Sequence, residues 1–218
     1  MSTPAPALPE VANVYWRPPA DERRIVSQGR LWTLSTVAHV VPFVTAATVL
    51  FALEPLTFPV GLAALAHAWM IPELYAKRGA GVLRRSPRSA RQAEATALGL
   101  LGDLVGHEAR DVLGRTGYVV ERGRRGTWVV GELGAVLLRP GGRRAYCWCV
   151  RADDDTLPSP DRIAHLLLAL RADEESFATI ANLTFSGASW RLRRRLPVPA
   201  RAAFDAARRR AKVTPAAV

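Results

Sequence analysis

Residues 31–53 read LWTLSTVAHVVPFVTAATVLFAL and residues 56–72 read LTFPVGLAALAHAWMIP, and neither stretch contains Asp, Glu, Lys or Arg. A helix rises about 1.5 Å per residue and a bilayer core is about 30 Å thick, so about 20 apolar residues span it. The first stretch is long enough, and the second becomes so if it extends to Tyr75. Pro55 and Pro59 favour a tight turn between them because proline ends helices. We therefore predict a transmembrane helical hairpin at residues 25–78, with helices over about 31–53 and 56–75.

The flanking charges predict the orientation of this hairpin. Arg23, Arg24 and Arg30 precede the first apolar stretch, Lys77 and Arg78 follow the second, and the turn carries no basic residue. Lys and Arg in short loops collect on the cytoplasmic side, so both termini are predicted to be cytoplasmic. A signal peptide fits less well, because the first apolar stretch is too long and a second follows at once. A soluble protein with a buried helical hairpin is the alternative.

Arginine carries almost all of the net charge of +11, since Lys77 and Lys212 are the only lysines. Richness in arginine and alanine with little lysine is typical of a GC-rich bacterial genome. Together with the hairpin, this composition predicts a multi-pass protein of the bacterial inner membrane. The two cysteines do not make a disulfide framework and would stay reduced on a cytosolic face.

Outside the hairpin, composition and periodicity predict four further segments. Residues 1–24 are proline-rich and are interpreted as a disordered arm, residues 79–91 as a basic juxtamembrane linker, residues 92–212 as a cytosolic α+β domain, and residues 213–218 as a tail.

The domain is predicted to begin with a helix over residues 92–113 and to continue with three or four short strands between residues 117 and 151. Helices follow from Ser159 and over residues 199–212, whereas residues 183–198 match neither pattern. The predicted fold class is a membrane-anchored α+β protein with an antiparallel meander and flanking helices.

Two histidines lie inside the apolar stretches. His39 follows Arg30 by nine residues and His67 precedes Lys77 by ten, so an antiparallel hairpin places both at about the same depth. An ionisable residue in a membrane is by default a functional hypothesis. Facing imidazoles could bind haem or a metal, or relay a proton. The alternative, which we favour, is a pair of neutral histidines bonded to backbone or hydroxyl groups, with no cofactor.

Two further patterns contain metal-ligand side chains. Asp103, His107 and Asp111 recur every four residues and could share one stripe of a helix, although a solvated polar face explains them equally well. Cys147 and Cys149 point to one face of a predicted strand, where small buried thiols are favoured over a Cu(I) or zinc site. The sequence contains no glycine-rich phosphate loop, serine elbow or kinase motif, so a non-enzymatic role is favoured.

Two basic clusters predict contacts with lipid or phosphate groups. The juxtamembrane cluster comprises Lys77, Arg78, Arg84, Arg85, Arg88 and Arg91. The C-terminal cluster comprises Arg193, Arg194, Arg195, Arg208, Arg209 and Arg210. Anionic lipid is the favoured partner of both, and nucleic acid is the alternative.

The sequence thus predicts a non-enzymatic membrane anchor or accessory protein that presents a basic α+β domain at the inner membrane. Other membrane proteins, or further copies of this chain, are its expected protein partners. A redox or metal-binding membrane protein that uses His39 and His67 is the first alternative. A membrane-tethered nucleic-acid-binding protein is the second.

Overall fold

The computed structural model describes residues 19–85, 91–150 and 157–213. Within these ranges the chain forms eight α-helices and one five-stranded antiparallel sheet, so the predicted α+β class is confirmed. Residues 1–18 and 214–218, which hold most of the predicted arm and tail, lie outside the described residues.

The helices and strands of the described residues have the following bounds. The helices are α1 Glu22–Leu53, α2 Phe58–Ala80, α3 Arg91–Leu104, α4 His107–Thr116, α5 Ser159–Ala172, α6 Glu174–Ile180, α7 Ser189–Arg195 and α8 Val198–Val213. The strands are β1 Val119–Arg122, β2 Thr127–Gly131, β3 Gly134–Leu138, β4 Arg144–Cys149 and β5 Asn182–Ala188. Helix α3 onwards is called the sheet domain below, and α1, α2 and their turn are called the hairpin.

The hairpin pairs two long helices around a proline turn. Asp21 caps the N-terminus of helix α1, and its Oδ1 accepts a hydrogen bond of 2.7 Å from the Arg24 amide. It runs for 32 residues, or about 48 Å. A 3₁₀ turn, Pro55–Thr57, separates it from α2, and the Thr57 hydroxyl bonds the Glu54 carbonyl at 2.7 Å. Both helices are long and apolar enough to cross a membrane, judged by length and composition.

Helix α1 starts before the predicted boundary at residue 25. The preceding Ala20 is buried, and its amide donates to the Thr179 hydroxyl at 2.7 Å. The last residues of the predicted arm are therefore packed against α6 of the sheet domain.

The sheet is a meander in the order β1-β2-β3-β4-β5, with every neighbouring pair antiparallel. Pro140, Gly141 and Gly142 lie in the turn that joins β3 to β4, and the two glycines there take φ values of 83° and 65° that favour glycine. The fifth strand comes from residues that matched no pattern in the sequence. Strand β5 pairs with β4 after the chain has passed through α5 and α6.

Helices cover both faces of the sheet. One face buries Trp128, Tyr146 and Trp148 against α3 to α6. The other buries Cys147 with Phe204 of α8, and the end of α2 packs on the same face. Every residue of β2 and β3 is buried because the sheet forms the middle of three layers.

The charged end of the hairpin docks directly on the sheet domain. A Cβ added at Gly79 would lie 2.5 Å from Cβ of Phe185, so only glycine allows α2 to approach β5 this closely. On α1, the Gly29 carbonyl and the Thr33 hydroxyl accept bonds from Arg144 Nη2 at 3.1 and 2.8 Å. The domain is therefore held at several points rather than by one flexible connection.

The described part of the predicted linker, residues 79–85, is also packed. Val82 and Leu83 are buried, and the Leu83 carbonyl accepts a 2.6 Å bond from the Tyr118 hydroxyl. Gly79 permits this close packing, whereas a Cβ added at Gly81 would meet nothing within 4 Å. Residues 86–90 lie outside the described residues.

Candidate functional site

The hairpin carries a band of exposed apolar side chains, called the apolar band below. On α1 it comprises Leu31, Leu34, Val37, Val41, Phe43, Val44, Val49, Phe51 and Leu53. On the turn and α2 it comprises Leu56, Phe58, Val60, Leu62, Leu65, Trp69, Met70 and Leu74. The large side chains point outwards, whereas small residues such as Ala47, Gly61 and Ala68 are buried in the hairpin. Small residues at the interface and large ones outside are typical of helices packed in lipid.

Aromatic residues mark the base of the apolar band, next to the sheet domain. The Trp32 ring packs edge-on against Tyr75 at 5.5 Å between centroids and lies 6.4 Å from Phe185. Trp69 and Trp190 are both exposed. Such residues are enriched where a membrane meets water.

His39 and His67 each form a hydrogen bond within their own helix. Nδ1 of His39 donates to the Ser35 carbonyl at 2.6 Å, and Nδ1 of His67 donates to the Ala63 carbonyl at 2.8 Å. These are bonds of the kind that the cofactor-free alternative requires. They leave Nε2 as the ring atom with a lone pair on each histidine.

The two histidines do not lie opposite one another. The His67 ring stacks on Phe43 at 5.6 Å, whereas His39 faces Tyr75 edge-on at 6.5 Å. Phe43 is one turn beyond His39, so the imidazoles are offset by about 6 Å along the hairpin. Haem or metal binding by this pair stays a prediction.

The expected stripe of Asp103, His107 and Asp111 is divided between two helices. The single helix predicted over residues 92–113 is wrong, because Gly106 takes an extended conformation at the start of α4 and interrupts it. Asp103 accepts a 2.8 Å bond from Arg110, and Asp111 lies 3.7 Å from Arg115. Within the described residues no three His, Cys, Asp or Glu side chains converge as a metal site.

Cys147 and Cys149 share one face of β4, as alternation predicts. Cys147 is fully buried beneath α8, and burial raises the pKa of its thiol well above the ordinary value. Cys149 is only half-buried, and neither residue forms a disulfide. The favoured interpretation, small thiols packed under a helix, describes Cys147 well.

The two thiols should therefore react at different rates. We expect excess maleimide at pH 7.5 to add once to the native protein, at Cys149, because the Cys147 thiol is buried and stays protonated. Intact-mass measurement should show a second adduct only after unfolding, and Cys149→Ser should remove the native adduct. Equal labelling of both thiols in the native protein would contradict the packing described for β4.

The juxtamembrane cluster divides into exposed and engaged residues. Lys77, Arg78 and Arg84 are exposed on the flank of α2 and the turn after it. Arg85 instead donates to the Thr116 carbonyl at 2.8 Å and lies 5.5 Å above the Tyr118 ring. Arg88 and the side chain of Arg91 lie outside the described residues. Lys77, Arg78 and Arg84 thus lie next to the apolar band, and their contact with lipid stays a prediction.

Most of the C-terminal cluster is engaged within the chain. The arginines with internal partners are Arg193, Arg195, Arg208 and Arg210. Arg193 makes two bonds to Asp205, of 2.7 and 2.8 Å, and these hold the pKa of that carboxyl below its usual range. Arg194 and Arg209 are exposed. Four of the six arginines thus have partners within the chain, and binding of the cluster to lipid or nucleic acid stays a prediction.

An ion pair between Glu73 and Arg195 joins the hairpin to the sheet domain. Glu73 on α2 is 3% exposed, and its Oε2 accepts from Nε and Nη2 of Arg195 at 2.7 and 2.5 Å. The sequence alone does not indicate a partner for Glu73. A buried carboxylate needs a cationic partner, but the residues around Glu73 in the sequence do not indicate that this partner lies 122 residues away.

A second polar cluster lies at the start of α5, in an open cavity of about 600 Å³. The Ser159 amide donates to Glu94 at 3.0 Å, and its hydroxyl donates to Glu132 at 2.5 Å. Both carboxylates therefore satisfy donors at the helix N-terminus, where negative charge is favourable. Tyr118 lines the same cavity, and burial raises the pKa of its hydroxyl. No histidine is among the described residues around this cavity, and the cluster is explained by capping.

No protein-family model, curated protein or solved structure matches the chain.

Proposed function

We propose that this protein is an integral membrane anchor that holds a basic α+β domain against the cytoplasmic face of the bacterial inner membrane. The observation that carries the proposal is the apolar band, which the sheet domain leaves uncovered along both hairpin helices. In the most apolar 18 residues of α1, only 6% of the residues are buried. In the most apolar 18 residues of the segment Pro55–Leu83, 17% are buried. A core helix of a soluble protein would bury such a surface, and exposed apolar patches this extensive mark contact with a membrane or a partner.

The docked base of the hairpin supports an accessory role rather than a loose tether. Arg144, Gly79 and the Glu73–Arg195 pair fix the sheet domain relative to the membrane-spanning direction. Exposed Lys77 and Arg78 then face the plane of the headgroups, where each cation contributes about 1 kcal/mol with anionic lipid. A domain held in one orientation can present the same surface to a second membrane protein.

If the hairpin is inserted in a membrane, the protein should show a specific extraction behaviour. The full chain should resist high salt and alkaline carbonate and should leave the membrane only in detergent. Val44→Arg combined with Leu62→Arg should release it, because each central arginine opposes insertion by about 3 kcal/mol. Val198→Arg is the matched control, since Val198 is 75% exposed outside the hairpin. Release of the unmodified chain by carbonate would contradict membrane insertion.

The proposed accessory role is tested separately by purifying the protein in mild detergent. A membrane protein that co-purifies in fixed stoichiometry, or a defined oligomer of this chain, supports it. A monomer without partners in the membrane would contradict the accessory role and leave the anchor intact.

A further inference from the structure

An apolar groove lies on the outside of the hairpin between α1 and α2, with a volume of about 390 Å³. Its walls are formed mainly by Val37, Val40, Val41, Leu65 and Trp69. We propose that this groove binds one acyl chain of an anionic phospholipid of the inner leaflet, with the phosphate held by Arg191. The inference rests on the proposed membrane location and names a specific lipid ligand for it.

The groove exists because small or rigid residues occupy its floor. Ala68 and Pro72 of α2 are both buried and leave space between the helices. Thr36 also lines the groove, but its hydroxyl donates to the Trp32 carbonyl at 2.8 Å. The helical part of the lining therefore demands no polar partner and suits a hydrocarbon chain.

Among the described residues that line this groove, Arg191 is the one that carries a charge. It belongs to α7 of the sheet domain, is half-buried, and lies 5.1 Å from the centroid of the Trp190 ring. On the same helix, Arg193 and Arg195 form ion pairs with Asp205 and Glu73. No ion pair of Arg191 is recorded among the described residues, so its charge is not neutralised in this way.

The charge pattern of the groove matches the chemistry of a phospholipid. An amphiphile with an anionic head and an apolar tail fits a cation at one end and valine and leucine walls beyond it. The guanidinium can form paired hydrogen bonds to phosphate oxygens, which an ammonium group cannot. Trp69 and Trp190 lie beside this end, at the level where headgroups meet hydrocarbon.

The headgroup contact is tested on the full chain, purified in mild detergent and supplied with equal phosphatidylglycerol and phosphatidylcholine. Native mass spectrometry should show retained phosphatidylglycerol in excess. Arg191→Gln should lower that preference about fivefold, as expected for the loss of one cation at a membrane surface. Arg122→Gln is the matched control, because Arg122 is exposed at the end of β1, does not line the groove and belongs to neither basic cluster. Equal losses in the two variants, or equal retention of both lipids by the unmodified chain, would overturn the proposal.

The tail contact is tested by filling the groove. Val41 and Val49 are each 50% exposed on α1, but only Val41 lines the groove. Val41→Trp should therefore abolish selective lipid retention, whereas Val49→Trp should leave it unchanged. If both variants retain the lipid, the groove is not the site. Carbonate extraction of the same variants reports membrane insertion separately, so failure of the lipid site is distinguishable from failure of the anchor.

Discussion

Trp128→Ala is expected to destabilise the sheet domain by about 4 kcal/mol. Trp128 is fully buried on β2, with its ring centroid 5.2 Å from that of Trp148 and 5.7 Å from that of Phe177. Its Nε1 also donates to Glu174 at 3.3 Å. The substitution thus leaves a large cavity between the sheet and α6 and removes one partner of a buried carboxylate.

The effect should be confined to the sheet domain. Urea titration followed by circular dichroism should show a lower midpoint, and limited proteolysis should cleave the sheet domain while the hairpin stays in the membrane fraction. Trp190→Ala is the matched control: Trp190 is 43% exposed, so its loss should cost less than about 1 kcal/mol. A midpoint unchanged by Trp128→Ala would contradict the described core.

The hairpin could be predicted from sequence because its signal is local. Uncharged length and the prolines of the turn are read directly along the chain. Its docking could not be predicted, since the contact of Gly29 with Arg144 spans 115 residues. Gly79 was assigned to the predicted linker, although a glycine can also allow a helix to approach a neighbouring strand closely, as Gly79 does at Phe185.

Strand β5 was missed for a related reason. Leu183 and Phe185 alternate with polar residues, but the alternation covers only residues 182–186 and ends at Gly187. Strand β5 is the edge of the sheet and is only partly buried, and its pairing with β4 supplies the order that local propensity does not.

Residue types also gave an incomplete account of the candidate site. The sequence suggests that Arg193, Arg195 and Arg210 are available to bind lipid or phosphate. In the structure, each has an acidic partner within 3.2 Å. No separate role for Arg191 could be predicted, because the sequence alone does not show that α7 lies beside the hairpin groove. Which arginines are available depends on tertiary contacts and not on their number.

Arg195→Ala is expected to destabilise the junction between hairpin and sheet domain by about 3 kcal/mol. The reason is the position of Glu73, which is 3% exposed and whose Oε1 has no hydrogen-bond partner among the described residues. Without Arg195, the Glu73 carboxylate would be buried with no recorded bond to either oxygen. Arg194→Ala is the matched control, because the Arg194 side chain is exposed on the same helix.

A double-mutant cycle separates the ion pair from ordinary packing loss. Glu73→Gln removes the charge that needs Arg195, so adding Arg195→Ala to it should cost much less than Arg195→Ala alone, with a coupling of about 1–3 kcal/mol. The distribution of distances between spin labels on α1 and α8 should become broader in Arg195→Ala and narrower again when Glu73→Gln is added. Additive effects would show that the pair does not fix the domain on the hairpin. A coupled result would show that a charge at the end of an apolar helix sets the orientation in which the domain is presented.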